Sequence, residues 1–194
     1  MKKKIAITGG IGSGKSAVLH IFEEMGYPTF SCDEIYRDVI QSPSYIQKIS
    51  EVFPECILEG KIDRKLLAQL VFQNEEKLAI LNAIAHPLIM ERLSQNMDNC
   101  NGDTVFAEVP LLFEGNYENL FDKVFVVLRN KEARIQSVIQ RDQISEQSVK
   151  NRINSQFDFE DPKNEIRLKN CNVIFIKNQG DLSALKNQIL SLVL

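Results

Sequence analysis

Residues 9–16 read GGIGSGKS, set between KIAIT (Lys4–Thr8) and AVLHIFEEM (Ala17–Met25). A stretch with four glycines and a single bulky side chain, Ile11, cannot build a core, so the chain must use its backbone there. The segment matches GxxxxGK[ST] through Gly9, Gly14, Lys15 and Ser16. Glycines let the main chain wrap an anion with its N–H groups turned inward. The helix predicted to follow offers unbonded N-terminal donors and the positive end of its dipole. A lysine at position 15 reaches the β- and γ-phosphates of a nucleoside triphosphate, and a hydroxyl at Ser16 ligates Mg²⁺. A strand before the loop and a helical pattern after it are the context in which this pattern means phosphate binding. The triphosphate-binding set is therefore Gly10, Ile11, Gly12, Ser13, Gly14, Lys15, Ser16 and Ala17.

Bulk properties set wide bounds around that loop. The 194 residues are 44% hydrophobic and 25% charged, with a net charge of −3, which suits one α/β domain with small insertions. An acidic balance argues against a bulk nucleic-acid binder. Cys32, Cys56, Cys100 and Cys171 form no CxxC pair, so they are expected as four reduced thiols in a cytoplasmic protein. The basic MKKK start runs into glycines within a few residues, unlike a secretion signal. No apolar run approaches the ~20 residues that span a bilayer. Neither nucleic acid nor membrane is an expected partner, and a monomer is the expected state.

Apolar runs rich in β-formers recur at Lys4–Thr8, Tyr27–Ser31, Thr104–Val109, Lys123–Leu128 and Asn172–Ile176. Their near-continuous apolar character predicts strands covered on both faces, hence a five-stranded parallel sheet flanked by helices. Leu182, Leu185, Ile189 and Leu192 predict a last helix capped by Asp181. Two gaps exceed a simple crossover. Residues 33–103 predict a helical insertion. One helix starts near Asp63, carrying Leu66, Leu67, Leu70 and Val71. Another starts near Asn74, carrying Leu78, Leu81 and Ile84, and stops before Pro87. Residues 129–169 predict a helical lid. The expected division is a nucleotide-binding core (1–32, 104–128, 170–194), an acceptor-binding segment (33–103) and a lid (129–169).

A regulatory GTPase needs DxxG and NKxD, and neither occurs; NKEA at 130–133 has Ala133 in the aspartate's place. Asp33 falls just past the second predicted strand. Ligand sites in such sheets lie at the carboxyl ends of strands. A carboxylate there can take the proton of an attacking hydroxyl, or cap the helix that follows; position alone supports both. Between positions 129 and 152, Arg129, Lys131, Arg134, Arg141, Lys150 and Arg152 stand against Glu132, Asp142 and Glu146. That excess of positive charge suits a lid closing on polyphosphate or a solvated pair of helices. Arg134, Ser137 and Arg141 fall on one helical face. Pro110 ends the third strand, and Leu111, Leu112 and Phe113 predict an apolar wall beyond it.

TGGIGSGKS, Asp33, IDRKLLAQLVF, AHPLI, VPLLFE and QRD, in that order over nearly the whole chain, resemble the dephospho-CoA kinase family of P-loop kinases. VPLLFEG (Val109–Gly115) is the sharpest marker. The resemblance implies transfer of the ATP γ-phosphoryl to the 3′-hydroxyl of dephospho-CoA, with Mg²⁺ as cofactor, giving coenzyme A and ADP. It implies Asp33 as catalytic carboxylate and Arg141 as a lid arginine on the phosphates, beside Lys15. Arg64 and His86 would face the acceptor; Leu111 and Leu112 suit the adenine or pantetheine part of a ligand, or plain packing, with Glu114 a further candidate for the substrate. Glu108 would hold Mg²⁺ through water, and Asn178 would lie at the adenine. Gln156 matches a further lid position.

The chain departs from the family at three places. Ser31-Cys32-Asp33 stands for Asp-Ala-Asp, Arg134-x-x-Ser137 for Gln-x-x-Arg, and the Ala-Asp before the last strand is missing, although Asn178-x-Gly180 is kept. A nucleoside or nucleotide kinase with another acceptor is the nearest alternative, and a nucleotide-binding regulatory module without catalysis is the alternative of another class.

Overall fold

The computed structural model describes residues 2–72 and 74–193. In chain order its elements are β1 (Lys3–Thr8), α1 (Lys15–Glu24), β2 (Thr29–Ser31), α2 (Cys32–Val39), α3 (Pro43–Val52), β3 (Ile57–Leu58), β4 (Lys61–Ile62), α4 (Arg64–Phe72) and α5 (Glu75–Asn99). There follow β5 (Thr104–Glu108), β6 (Lys123–Leu128), α6 (Lys131–Asp142), α7 (Glu146–Asn154), α8 (Glu165–Asn170), β7 (Val173–Lys177) and α9 (Leu182–Val193). The chain divides into two compact units, Met1–Phe30 with Cys100–Leu194, and Ser31–Asn99.

The first unit is built on a five-stranded sheet in the order β2-β5-β1-β6-β7. β1 pairs in parallel with both β5 and β6, and β6 with β7. β1, β5 and β6 are buried almost throughout, as their apolar runs require. Ile5, Ile7, Phe106, Phe125, Val127 and Ile176 meet Val18, Ile21 and Phe22 of α1 and Leu185 and Ile189 of α9 in one core. Phe22 stacks on Phe106 with centroids 3.7 Å apart. The predicted Tyr27–Ser31 strand begins only at Thr29, because Pro28 has no N–H to give a ladder. Its carbonyl still accepts from Phe106 N at 3.0 Å. Asp181 caps α9 through Ser183 N at 2.9 Å, as expected. α6 and α7 share a small core of Ile135, Val138 and Val149, against which Ile11 of the glycine loop also packs.

The second unit is helical. α2, α3 and α4 pack on α5. Asp63 caps α4, its Oδ1 accepting from Lys65 N (2.9 Å) and Leu66 N (3.0 Å). The expected stop before Pro87 is corrected: α5 runs unbroken from Glu75 to Asn99 with Pro87 inside it. Pro87 removes one donor to the carbonyl of Ala83, but both residues are exposed, so water can serve that carbonyl. Leu81, Ala85, Met90, Leu93 and Met97 are buried at helical spacing on either side and hold the helix together. His86 thus sits mid-helix, not at a break. The β3–β4 hairpin was not anticipated; its strands are two residues long, too short for alternation to be read. Glu59 and Gly60 turn it with positive φ (49° and 75°).

Candidate active site

The glycine loop leaves β1 at Thr8 and enters α1 at Lys15. Gly14 is the N-cap at φ 97°, left-handed backbone. A Cβ there would lie 2.2 Å from Asn178 Nδ2, so the position excludes a side chain on two counts. No side chain caps α1, so its first N–H groups remain available to a ligand.

The loop's carbonyls are disposed of one by one. Gly9 and Gly10 oxygens accept from Lys15 Nζ (3.0 and 3.3 Å). Ile11 O accepts from Arg134 Nε (3.0 Å), Gly12 O from Arg129 Nη1 (3.3 Å) and Ser13 O from Asn178 Nδ2 (2.9 Å). Every carbonyl from Gly9 to Ser13 therefore faces a donor. These are the groups that would repel a phosphate, and bonding them to donors removes that repulsion and fixes the loop. Ile11 N is held by Gln156 Oε1 at 2.7 Å. Arg134 approaches so closely that its guanidinium would overlap a Cβ at Gly10. Burial pulls the Arg134 guanidinium below its ordinary pKa, opposed by Asp158 and Glu160. A cation short of water beside the loop favours an incoming anion.

Ser16 Oγ donates to Glu108 Oε1 at 3.2 Å, and Glu108 is buried at the end of β5. An alcohol beside a buried carboxylate is a hard-oxygen pair that suits Mg²⁺. Among the described residues, no cluster of three His, Cys, Asp or Glu side chains could hold a metal by itself. A cavity of about 850 Å³ adjoins the loop, its lining including Gly10, Asn130, Arg134, Gln156, Phe159 and Asn178.

Several expected residues are placed otherwise. Asn178 uses both ends of its amide on protein: Nδ2 on Ser13 O, and Oδ1 accepting from Gly180 N at 3.0 Å. It braces the loop instead of pointing at a base. Leu112 is fully buried and belongs to the core, whereas Leu111 is half-buried. Phe113 stacks on Phe157 with centroids 4.6 Å apart, beneath the Arg167 guanidinium. Arg167 also bonds Glu118 Oε1 (2.6 Å) and Phe113 O (2.7 Å), which turns the VPLLF stretch inward. Glu114 accepts from Phe157 N at 2.9 Å. Arg141 is exposed and forks onto Asp142 (2.7 and 3.0 Å) at the end of α6. The arginines brought to the loop are Arg129 and Arg134. Sequence reasoning counted Arg129 only as charge; its place directly after β6, at a strand's carboxyl end, was the available signal.

In the helical unit, Ser31 is the N-cap of α2, so Asp33 is not the cap but lies in the first turn. It is exposed, and among the described residues it has no hydrogen bond or ion pair. Arg64 begins α4 and lines a cavity with Tyr36 and Tyr45. His86 is half-buried in α5.

The sequence profile of the dephospho-CoA kinase family (CoaE) matches residues 3–183. The dephospho-CoA kinase of Fusobacterium nucleatum is 34% identical over 187 residues, covering 95% of this chain and 94% of its own. A Thermus thermophilus protein of solved structure superposes with a TM-score of 0.80 at 31% identity, covering 99% of this chain and 96% of that one. The dephospho-CoA kinase from Campylobacter jejuni gives 0.63 at 28% identity, with the same coverage.

Proposed function

The chain belongs to the dephospho-CoA kinase family, and on that premise we propose how its residues divide the reaction. The γ-phosphoryl of ATP passes to the 3′-hydroxyl of dephospho-CoA, giving coenzyme A and ADP. The observation that carries the reading is the loop from Gly9 to Ser13, with each carbonyl bonded to a donor, leading into a helix N-terminus that no side chain caps.

In this reading Gly10 to Ala17 wrap the triphosphate. Lys15 exchanges the Gly9 and Gly10 carbonyls for the β- and γ-phosphates. Ser16, with Glu108 behind it, would hold magnesium, which when bound neutralises charge between those phosphates. The base of ATP enters the cavity beside Gly10 and Asn130. Asp33 takes the proton of the 3′-hydroxyl as its oxygen attacks phosphorus in line; the bond to the β–γ bridging oxygen breaks and ADP departs. Arg141 leaves Asp142 for the transferring phosphoryl when residues 129–169 close, excluding water. Arg64, His86, Leu111 and Glu114 face the acceptor. Little covalent work falls to the protein, so positioning and charge neutralisation carry the rate.

An ADP-release assay over a panel of hydroxyl acceptors tests this. Dephospho-CoA should be consumed one-for-one with ATP, and nucleoside monophosphates left untouched. Turnover of a monophosphate with none of dephospho-CoA would refute the acceptor. Tight ATP binding with no acceptor phosphorylated, and a silent Asp33→Asn, would leave only a nucleotide-binding module.

A further inference from the structure

Arg129, the first residue past β6, has no part in the chemistry described above. It is half-buried, and its side chain reaches two elements at once. Nη1 donates to Ser137 Oγ of α6 at 2.8 Å and to Gly12 O of the loop at 3.3 Å. Nε is buried with no hydrogen-bond partner, and among the described residues Nη2 makes no hydrogen bond. A guanidinium presents N–H donors on all three nitrogens. One that uses a single nitrogen on protein keeps its charge for a group the chain does not supply. Arg129 lines the cavity of about 850 Å³ that adjoins the loop.

The contact with α6 is tight. A Cβ at Gly12 would lie 2.6 Å from Arg134 O and 3.0 Å from Val138 Cγ2, so the loop lies directly on the turn of α6 that carries Ser137. Ser137 Oγ and Gly12 O share one donor nitrogen, so a long cation rooted at position 137 would start within reach of the same carbonyl. The sequence shows the matching exchange: Arg134-x-x-Ser137 stands where the family has Gln-x-x-Arg. The helix position without an arginine is the one on which Arg129 rests. Arg134 is not the substitute, because its Nε is bonded to Ile11 O, one residue earlier in the loop.

We infer that Arg129 is a positioning residue of the phosphate cradle: seated by Ser137, it fixes Gly12 and sets a cation beside the triphosphate, and positions 129 and 137 are alternative roots for that one guanidinium. The inference rests on ATP being the phosphoryl donor, as proposed above. It acts through the main chain, so it bears on how ATP is held and not on how the acceptor is.

Exchanging the two side chains in the full chain tests it. Arg129→Ser should weaken ATP about tenfold, both as KM and as the affinity read by calorimetry without acceptor, the loss of one charge-assisted bond. Its kcat and its KM for dephospho-CoA should stay within about threefold. The double variant, Arg129→Ser with Ser137→Arg, should bind ATP within about threefold of the wild type, a recovery that independent sites would not give. Ser137→Ala removes only the seat and suits a helix; it should weaken ATP about two- to threefold. An unchanged ATP affinity in Arg129→Ser, or a folded double variant no better than Arg129→Ser, overturns the inference. So does a loss in Arg129→Ser shared equally by ATP and dephospho-CoA, which would make Arg129 a packing residue. If the double variant does not fold, the two single variants decide, and the inference falls when neither weakens ATP. Transfer to dephospho-CoA by the wild type tests the function separately, since the ATP affinities need no acceptor.

Discussion

The carbonyls of the glycine loop and the two charged candidates of the helical unit, Asp33 and Arg64, stand in contrast. Every main-chain carbonyl from Gly9 to Ser13 is already bonded, to Lys15, Arg134, Arg129 or Asn178, and Gln156 holds Ile11 N. In the helical unit, the exposed Asp33 and Arg64 have no hydrogen-bond or ion-pair partner among the described residues. The difference follows from what each must do. A phosphate cradle works by offering fixed dipoles that need no rearrangement when charge arrives, so its geometry must be set beforehand. Acceptor-facing groups at the surface are served by water and exchange it for the acceptor, so their bonds form only when it arrives.

If that contrast holds, damage to the cradle's charge should be the most severe. Lys15→Ala should lower kcat/KM for ATP by about 10³-fold or more, since it removes a cation from the transferring phosphates and releases the Gly9 and Gly10 carbonyls at once. Steady-state ADP release measures it; a loss under tenfold would mean that Lys15 is only a loop clasp. Next in size is Asp33→Asn, isosteric and unable to take a proton. Its kcat should fall about 10²–10³-fold while ATP affinity, read by calorimetry, stays within about twofold. Because Asp33 has no hydrogen bond or ion pair to lose among the described residues, only its charge in the first turn of α2, its Tm should move by no more than about 1–4 °C. An equal loss of ATP affinity would break the contrast by making Asp33 part of the cradle.

The same contrast decides what the sequence could reveal. The cradle was legible because one backbone shape demands particular residues at fixed spacing: glycines, then Lys15 and Ser16, between a strand and a helix. The sheet was legible for a similar reason, since strands buried on both faces must be apolar throughout. What stayed hidden was whatever depends on residues distant in sequence. Nothing in NQG (Asn178–Gly180) says that Asn178 reaches Ser13, and nothing in VPLLF says that Leu112 turns into the core. Arg134 and Arg141 look alike on a helical wheel; only tertiary placement brings the first to the loop and leaves the second on Asp142. Pro87 misled because a helix break was inferred from the lost donor alone, without the buried residues that outweigh it.

Those two arginines sharpen the comparison within one helix. Arg141→Ala should lower kcat by about 10–100-fold with little effect on KM for ATP or dephospho-CoA, the mark of a group that engages only as the phosphoryl moves. Arg134→Ala should act earlier. With Ile11 O left without its donor, the loop loses its setting, and KM for ATP should rise about tenfold with a smaller change in kcat. Reversed behaviour of the pair would make Arg134 the arginine on the phosphoryl.

Asn178 gives the smallest effect and the finest discrimination. Its amide ties Ser13 O to Gly180 N from a buried position. Asn178→Ala should raise KM for ATP about five- to tenfold and cost about 1–2 kcal/mol of stability, or roughly 2–8 °C in Tm for a chain of this size. Asn178→Asp should be worse on both counts: it keeps the acceptor for Gly180 N but sets a carboxylate against the Ser13 carbonyl, close to bound phosphate. The decisive readout is the ratio of activity with ATP to activity with GTP. A residue that braces the loop weakens both triphosphates alike and leaves the ratio unchanged. A residue that reads the base shifts the ratio and spares Tm, which would move Asn178 from the cradle to the base of the nucleotide.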